Sequence, residues 1–245
     1  LPGELVGGGD LETLRRNLAA RLVRLDPKKA FRDQYRQELV HFFGPLPREP
    51  EGEAPLVTFA VGGAGAQVQI ARALLFSLRQ PILDRRLRLA LVAGVRAEVA
   101  RRFHGWVADE RLDECLGDGV EIVHETSFPS YYRTFNGLLA RTDVLWTKPS
   151  ELVFYGGLGI PLVFAPPVGV HERCNRRWAI QRGAGLKHEN PLHAIDWLRE
   201  WLRDGTLAGA AWSGYVRLPK FGTPRILDLM AELAGSSVEA RALAG

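Results

Sequence analysis

Beyond residue 55, short runs of apolar and β-branched residues alternate with longer segments whose apolar positions recur at helical spacing. The short runs predict five strands and a weaker sixth, near residues 56–61, 87–93, 120–123, 144–146, 161–165 and 185–188. Helices are predicted between the strands, and two more follow them, over residues 191–203 and 224–233. This alternation is typical of an α/β fold in which a Rossmann-like parallel sheet is flanked by helices.

The N-terminal part has a different pattern. Residues 10–43 predict two helices, the first beginning at Asp10 as N-cap and the second opening at Asp26 and Pro27. Four prolines then follow within residues 44–55, which predicts a linker.

The predicted organisation therefore has three parts. They are a helical segment with its linker over residues 1–55, a Rossmann-like domain over 56–236, and a frayed tail over 237–245.

Composition excludes several classes of protein. The 245 residues are 46% apolar and 24% charged, which excludes disordered and collagen-like chains. Cys115 and Cys174 are the two cysteines, and they form no CxxC or Cys/His cluster, so we expect no metal site, no disulfide framework and a cytoplasmic location. The uncharged stretch Leu152–Val170 contains four glycines and three prolines, which favours a buried helix, turn and strand over a membrane span.

Charge gives a weaker indication. The net charge is +4, but the arginines are scattered along helical segments with acidic neighbours, which is typical of a solvated surface. No basic run is interleaved with aromatic residues, so nucleic acid is not the expected partner. An anionic partner remains compatible with the charge, either a phosphate compound or a membrane surface to which the protein would bind peripherally.

A glycine-rich loop follows the first predicted strand. Gly62, Gly63, Ala64 and Gly65 precede a predicted helix, and backbone N–H groups in such a loop can approach a phosphate closely. A tight turn without a ligand is the alternative. A dinucleotide-binding GxGxxG motif would need glycine at position 68, where the chain has Val68, so the fingerprint for NAD is imperfect.

The loop after the fourth predicted strand carries a cation. Thr147 and Lys148 precede Ser150, a plausible N-cap, so a helix N-terminus and an ammonium would both favour an anion here. The alternative is an exposed loop lysine, with Glu151 as an ordinary acidic residue of a first helical turn.

Two further loops carry polar or aromatic groups. His171, Glu172 and Asn175 lie at the start of the helix after the fifth strand, where they suit sugar hydroxyls or form a solvated helix start. Thr126 and Phe128 follow the third strand, where Phe128 either contacts a flat ring or packs into the core.

The order of these motifs resembles the C-terminal, donor-binding domain of GT-B glycosyltransferases. The similarity covers residues 56–185 and rests on GGAGAQ, TDVLWTKPSE, GLGIPLVFAPPVGVHERCN and RRWAIQRGAGL. Similar families are the peptidoglycan N-acetylglucosaminyltransferases, the plant monogalactosyldiacylglycerol synthases and the UDP-glucuronosyltransferases.

The resemblance assigns roles to these loops. It implies that residues 62–65, Thr147 and Ser150 contact the donor diphosphate, and that Thr126, Phe128 and Glu151 contact the nucleoside. His171, Glu172 and Asn175 would contact the sugar. Lys148, stabilising the departing diphosphate, and Glu172, orienting the sugar, are the implied catalytic residues.

The sequence departs from the family in two places. Phe154 occupies the position of the usual ribose-binding glutamate, so Glu151 would have to reach the ribose. Residues 1–5 are similar to the segment that follows the family's acceptor domain, so we expect this chain to lack that domain and its catalytic base.

The resemblance thus implies a UDP-sugar-binding half of an inverting glycosyltransferase that needs no metal or other cofactor, with a hydroxyl acceptor that is unknown and compatible with a lipid-linked compound. The alternatives are an inactive nucleotide-binding module and an NAD(P)-dependent oxidoreductase.

Overall fold

The computed structural model of the chain describes residues 11–46, 53–60, 67–148, 152–220, 222 and 225–233. It contains six strands at the predicted places: β1 (Leu56–Ala60), β2 (Arg88–Gly94), β3 (Val120–His124), β4 (Val144–Thr147), β5 (Leu162–Phe164) and β6 (Gly185–Lys187).

The strands form one parallel sheet in the order β3-β2-β1-β4-β5-β6. The predicted α/β class, with a Rossmann-like sheet flanked by helices, is confirmed. Strand order reverses between β1 and β4, and in open parallel sheets ligands bind at such a switch point, outside the carboxyl ends of the strands.

Ten α-helices with named bounds surround the sheet. They are α1 (Leu11–Arg24), α2 (Ala30–Gln34), α3 (Arg36–Phe43), α4 (Gln69–Leu83), α5 (Ala97–Asp109), α6 (Phe128–Arg141), α7 (Leu152–Gly157), α8 (Val170–Gln181), α9 (Ala194–Arg203) and α10 (Thr206–Arg217). Residues 225–233 are also helical. Helix α4 contacts α5 and α9, whereas α10 contacts α1 and α7.

The predicted start of the second helix at Asp26 and Pro27 is wrong. Residues 27–29 form a turn, and α2 begins only at Ala30. Asp26 is fully buried and still caps this helix, because its carboxylate accepts hydrogen bonds from the backbone N–H groups of Phe31 and Arg32 at 3.3 and 2.8 Å. The helix is also interrupted at Tyr35, so the segment contains three helices instead of two. Asp10, the predicted first N-cap, lies outside the described residues.

Helix α10 was missed because its sequence contains several small residues and gives no clear apolar stripe. Those small residues allow a close backbone contact with α7. A Cβ atom added to Gly214 would lie 2.7 Å from the carbonyl oxygen of Gly156. The predicted helices over residues 191–203 and 224–233 are confirmed by α9 and the helix at 225–233.

Helix α1 packs into the core of the sheet domain. Leu14, Leu18 and Leu22 belong to the same buried cluster as the strands. Arg21 is 1% exposed, so the interpretation of the arginines as a solvated surface is wrong for this residue. The boundary predicted at residue 55 stays a prediction, but the residues before it share this core.

A buried polar seam joins α1 to the sheet domain. The guanidinium of Arg21 donates hydrogen bonds to carbonyl oxygens at the ends of α6 and α7, and the next arginine, Arg24, forms an ion pair with Asp143 at 2.8 Å. Asp143 is fully buried and also accepts a 2.8 Å hydrogen bond from the backbone N–H of Leu56, the first residue of β1. The seam therefore fixes α1 against both the sheet and its helices.

Candidate functional site

The candidate site lies at the carboxyl ends of β1, β4 and β5. The glycine loop with Gly62, Gly63, Ala64 and Gly65 lies outside the described residues, and so do Ser150 and Glu151. Their contacts with diphosphate and ribose stay predictions. The described part of this edge contains Lys148 after β4, the start of α8 after β5, and Gln67 before α4.

Lys148 and Glu172 form an ion pair at this edge. The Nζ atom of Lys148 lies 3.5 Å from Oε1 of Glu172, and the side chains are only 16% and 12% exposed. The structure therefore brings together the two residues predicted as catalytic, and Lys148 is not the exposed loop lysine of the alternative interpretation.

Glu172 also holds the start of α8. It is the third residue of the helix, and its Oε2 accepts a 2.7 Å hydrogen bond from the backbone N–H of Val168. This hydrogen bond, followed by the charge of Lys148, lowers the pKa of Glu172 although burial opposes the shift. A charged carboxylate is thus fixed between the helix start and the ammonium.

The predicted sugar-binding residues have different environments. His171 is exposed, and its ring lies over Gly169, whose added Cβ would be 2.9 Å from His171 Cε1. Asn175 is partly buried one turn further along α8, whereas Glu172 is buried, so the alternative of a wholly solvated helix start is wrong. A carboxylate has about four acceptor positions, so Glu172 retains capacity for a hydroxyl, and its sugar contact stays a prediction.

Phe128 is exposed at the opposite side of the switch point. Its side chain is 61% exposed and stacks with Tyr132, with ring centroids 6.4 Å apart. Ser127 caps α6 by accepting a hydrogen bond from the N–H of Ser130. Phe128 is therefore not a core residue, and the neighbouring Thr126 is exposed as well. Thr147, by contrast, is buried at the end of β4.

Gln67 is a site residue that the sequence analysis did not select. Its Nε2 donates a 2.7 Å hydrogen bond to the carbonyl oxygen of Pro166, which joins the loop after β1 to the loop after β5. Its Oε1 is buried and has no hydrogen-bond partner within the described residues. The signal was present, because Gln67 ends the GGAGAQ motif.

A second feature that the sequence did not predict is the contact between Trp146, near the end of β4, and His188, which follows β6. Trp146 is fully buried, and its ring contacts those of His188 and Trp197, with centroids 5.2 and 5.0 Å away. Neither Trp146 Nε1 nor His188 Nδ1 has a hydrogen-bond partner in the described part of the chain. Burial lowers the pKa of His188.

This burial predicts a pH-dependent stability. Because the folded state favours neutral His188, the unfolded chain takes up a proton more readily, and the free energy of unfolding should fall as pH drops below 6.5. Replacing His188 by phenylalanine, which preserves a ring against Trp146, should reduce that fall. Urea unfolding at about pH 7.5 and about pH 5.5 measures it. His193→Gln, at an exposed position, is the control, and an unchanged fall in His188→Phe would contradict the prediction.

Two kinds of feature are absent from the described residues. No group of three or more His, Cys, Asp or Glu residues is arranged to hold a metal ion there. None of the helices in that part of the chain has the length and apolar character needed to cross a membrane.

The chain is similar to one family and to several solved structures. The family model "Domain of unknown function (DUF6938)" matches residues 106–205, and no curated protein is similar to the chain. The crystal structure of Acinetobacter baumannii MurG is 16% identical with a TM-score of 0.55, and covers 75% of this chain and 51% of its own. The S. aureus MnaA–UDP co-structure is 12% identical with a TM-score of 0.51, covering 75% of this chain and 47% of its own.

These identities establish the fold alone. The chain has a glycosyltransferase-like fold, as the resemblance to the C-terminal domain of GT-B glycosyltransferases predicted. The matched region spans about half the length of each of the two solved chains.

Proposed function

We propose that this chain is the donor-binding half of a glycosyltransferase and binds a nucleotide sugar, with UDP as the nucleotide. The observation that carries the proposal is the position of Lys148. Its ammonium lies at the carboxyl end of β4, next to β1 and the start of α8, and within the described residues it forms an ion pair with the carboxylate of Glu172.

An anionic ligand fits this arrangement electrostatically. The ammonium of Lys148 is mostly shielded from water, so its attraction to a diphosphate is screened less than that of a surface lysine. Glu172 is held separately by Val168, so it can keep its place when Lys148 turns toward the ligand. The S. aureus MnaA structure of similar fold is a complex with UDP, which supports the choice of nucleotide.

The proposed reaction is an inverting transfer without a metal. An acceptor hydroxyl attacks the anomeric carbon, the bond from that carbon to the diphosphate oxygen breaks, and UDP leaves with its negative charge. Lys148, the amides of residues 62–65 and the helix start at Ser150 would stabilise that charge, usually the largest contribution to such catalysis. Glu172, His171 and Asn175 would position the sugar.

The remaining groups would bind the nucleoside. The exposed ring of Phe128 offers a surface for a base, with Thr126 beside it and Glu151 reaching the ribose. The acceptor is a second substrate, and the group that removes the proton of its hydroxyl would lie outside the described residues. Because Phe154 occupies the position of the family's ribose-binding glutamate, an inactive nucleotide-binding module is the second candidate, with the same site and no transfer.

Calorimetric titration with UDP, UDP-N-acetylglucosamine, UDP-glucose and NAD tests the proposal. We expect binding of UDP and at least one UDP-sugar. Lys148→Ala should weaken UDP binding by about tenfold or more, because a hydrogen bond to a charged group contributes about 1.5 to 3 kcal/mol. Lys28→Ala, at an exposed lysine in the turn before α2, should leave UDP binding unchanged.

A second variant separates two causes of the loss. Lys148→Ala leaves the carboxylate of Glu172 without its cation, and that charge would itself repel a diphosphate. The double variant Lys148→Ala/Glu172→Gln lacks this repulsion. We expect it still to bind UDP more weakly than the unaltered protein, because the ammonium of Lys148 is absent. NAD binding without UDP binding would contradict the proposal, whereas UDP binding with no transfer in the complete protein would favour the module.

A further inference from the structure

Three polar contacts form a series through the loops after β1, β5 and β4. Gln67, after β1, donates a 2.7 Å hydrogen bond from Nε2 to the carbonyl oxygen of Pro166, after β5. Two residues further on, the backbone N–H of Val168 donates to Glu172 Oε2 at 2.7 Å. The other carboxylate oxygen of Glu172 lies 3.5 Å from the ammonium of Lys148, after β4. Gln67 therefore begins a contact series that ends at the candidate diphosphate-binding lysine.

Two consecutive prolines make the middle of this contact series rigid. The peptide unit between Pro166 and Pro167 is planar, and the ring of Pro167 fixes its own φ angle. Between the carbonyl of Pro166 and the N–H of Val168, the ψ angle of Pro167 is then the one backbone angle that rotates freely. Because Gln67 holds that carbonyl, it restricts where the N–H of Val168 points, and with it the position of Glu172.

Stability alone does not account for a glutamine at position 67. Its φ angle is 67°, in the left-handed region that favours glycine, and such a backbone conformation costs stability in other residues. The carbonyl oxygen of Pro166 can only accept, so the amide of Gln67 must turn its NH₂ group toward it. Oε1 then faces away, buried and without a partner within the described residues, which is also unfavourable. The hydrogen bond to Pro166 is the feature that these two costs retain.

We infer that Gln67 is a positioning residue that holds the carboxylate of Glu172, and through it the ammonium of Lys148, by fixing the loop that contains Pro166. Gln67 acts through these residues and need not touch the ligand. The inference rests on the proposed function for its ligand, whereas the contact series itself is present without one. The loop after β1 is thereby coupled to the cation after β4, so a change at Gln67 should alter how Lys148 binds a diphosphate.

The carboxyl group of Glu172 reports on this role without any ligand. NMR titration of side-chain carboxyl carbons measures its pKa, and Glu172→Gln identifies its signal. The hydrogen bond from Val168 is the main cause that lowers the pKa of Glu172, so this pKa should rise toward the ordinary carboxyl value in Gln67→Met, which has similar length and no donor. Gln67→Asn, whose amide is one methylene too short to reach Pro166, should raise it as well, which provides a second variant should Gln67→Met fold poorly.

A neighbouring glutamine provides the matched control. Gln69 is exposed at the first position of α4, so Gln69→Met makes the same chemical change two residues away and should leave the pKa of Glu172 unaltered. An unaltered pKa of Glu172 in Gln67→Met and Gln67→Asn would overturn the inference. An equal rise in Gln69→Met would also overturn it, because the effect would then not depend on the contact with Pro166.

Calorimetric titration with UDP distinguishes positioning of Lys148 from a general effect on the loops. Gln67→Met should weaken UDP binding by about fivefold, the effect of one hydrogen bond, when Lys148 is present. In the Lys148→Ala background the same change should weaken it by less than about twofold, because no ammonium remains to be positioned. Equal weakening in both backgrounds would contradict the inference.

The two measurements separate this inference from the proposed function. If the unaltered protein binds no UDP, the proposed function is wrong, and the NMR titration alone decides whether Gln67 positions Glu172. If Lys148→Ala weakens UDP binding but Gln67→Met changes neither the UDP affinity nor the pKa of Glu172, the proposed function is supported and the positioning role of Gln67 is wrong.

Discussion

Replacing Arg21 by methionine is expected to lower the free energy of unfolding by about 3 kcal/mol, because each buried carbonyl group left without a donor costs about 1 to 3 kcal/mol. Arg21 Nε donates to the carbonyl oxygen of Thr142 at 2.7 Å, and Nη1 donates to those of Leu158 and Gly159, both at 3.2 Å. Methionine fills most of the volume but donates nothing, so buried carbonyl groups at the ends of α6 and α7 lose their partner.

The charge of Arg21 has two opposite effects on stability, because burial disfavours the cation whereas the two helix ends favour it. Burial lowers its pKa to about 10, with Asp143 acting in the opposite direction, so the guanidinium remains charged at neutral pH. Being cationic, it also suits the C-terminal ends of two helices, where unpaired carbonyl groups concentrate negative partial charge.

Urea unfolding measures the effect. The slope of the free energy of unfolding against urea concentration should stay unchanged. Arg16→Met is the matched control, because Arg16 lies on the same helix but is exposed, and should change stability by less than about 0.5 kcal/mol. A similar, small loss in both variants would show that the carbonyl groups find other partners.

Replacing Asp143 by alanine is expected to have a comparable effect, about 3 to 5 kcal/mol. The carboxylate of Asp143 is fully buried, accepts from Arg24 Nε at 2.9 and 3.0 Å and from the N–H of Leu56 at 2.8 Å. Its removal leaves a mostly buried guanidinium without its nearest counter-charge and the first residue of β1 without an acceptor.

A double substitution distinguishes pairing from packing. Arg24→Met/Asp143→Leu replaces both charges by apolar groups, and should recover at least half of the stability lost in Asp143→Ala, because no buried charge is then left alone. Asp84→Ala breaks the exposed pair with Arg86 and should cause a far smaller loss of stability than Asp143→Ala. A double variant as unstable as Asp143→Ala would show that the carboxylate acts mainly through Leu56.

Much of the fold could be predicted from sequence because its strands have strong local signals. The run Val144–Trp146 and the run near 161–165 are short, β-branched and bounded by Asp, Gly or Pro. Helix α10 lacks such a signal, since Gly209 and Gly214 remove apolar periodicity while permitting contact with α7. Its helicity depends on tertiary packing, which a local pattern does not report.

The burial of charged residues could not be predicted from the sequence either. Arg15, Arg16, Arg21 and Arg24 share one helix, and their composition does not show which of them faces carbonyl groups more than a hundred positions away. Arg21 is the buried arginine because, in the folded protein, it is the one that faces the ends of α6 and α7.

The part of the candidate site that could be predicted is the part that strand order determines. Lys148 and Glu172 follow adjacent parallel strands, so topology alone brings them to one edge. The hydrogen bond from Val168 N–H to Glu172 could not be predicted, because it depends on the geometry of one helix start. The buried nitrogen atoms of Trp146 and His188 that lack a partner within the described residues depend on how α9 packs against the sheet.

The buried seam also constrains the order of events during synthesis. The acceptors of Arg21 lie 118 to 138 residues further along the chain, and α10, against which α1 packs, follows still later. At about 5 to 20 residues per second, α1 leaves the ribosome on the order of ten seconds before its partners exist. During that interval its leucine stripe, Leu14, Leu18 and Leu22, has nothing native to cover it. These leucines therefore stay exposed in the nascent chain until the later elements have been synthesised, and a chaperone that binds apolar segments would find them accessible.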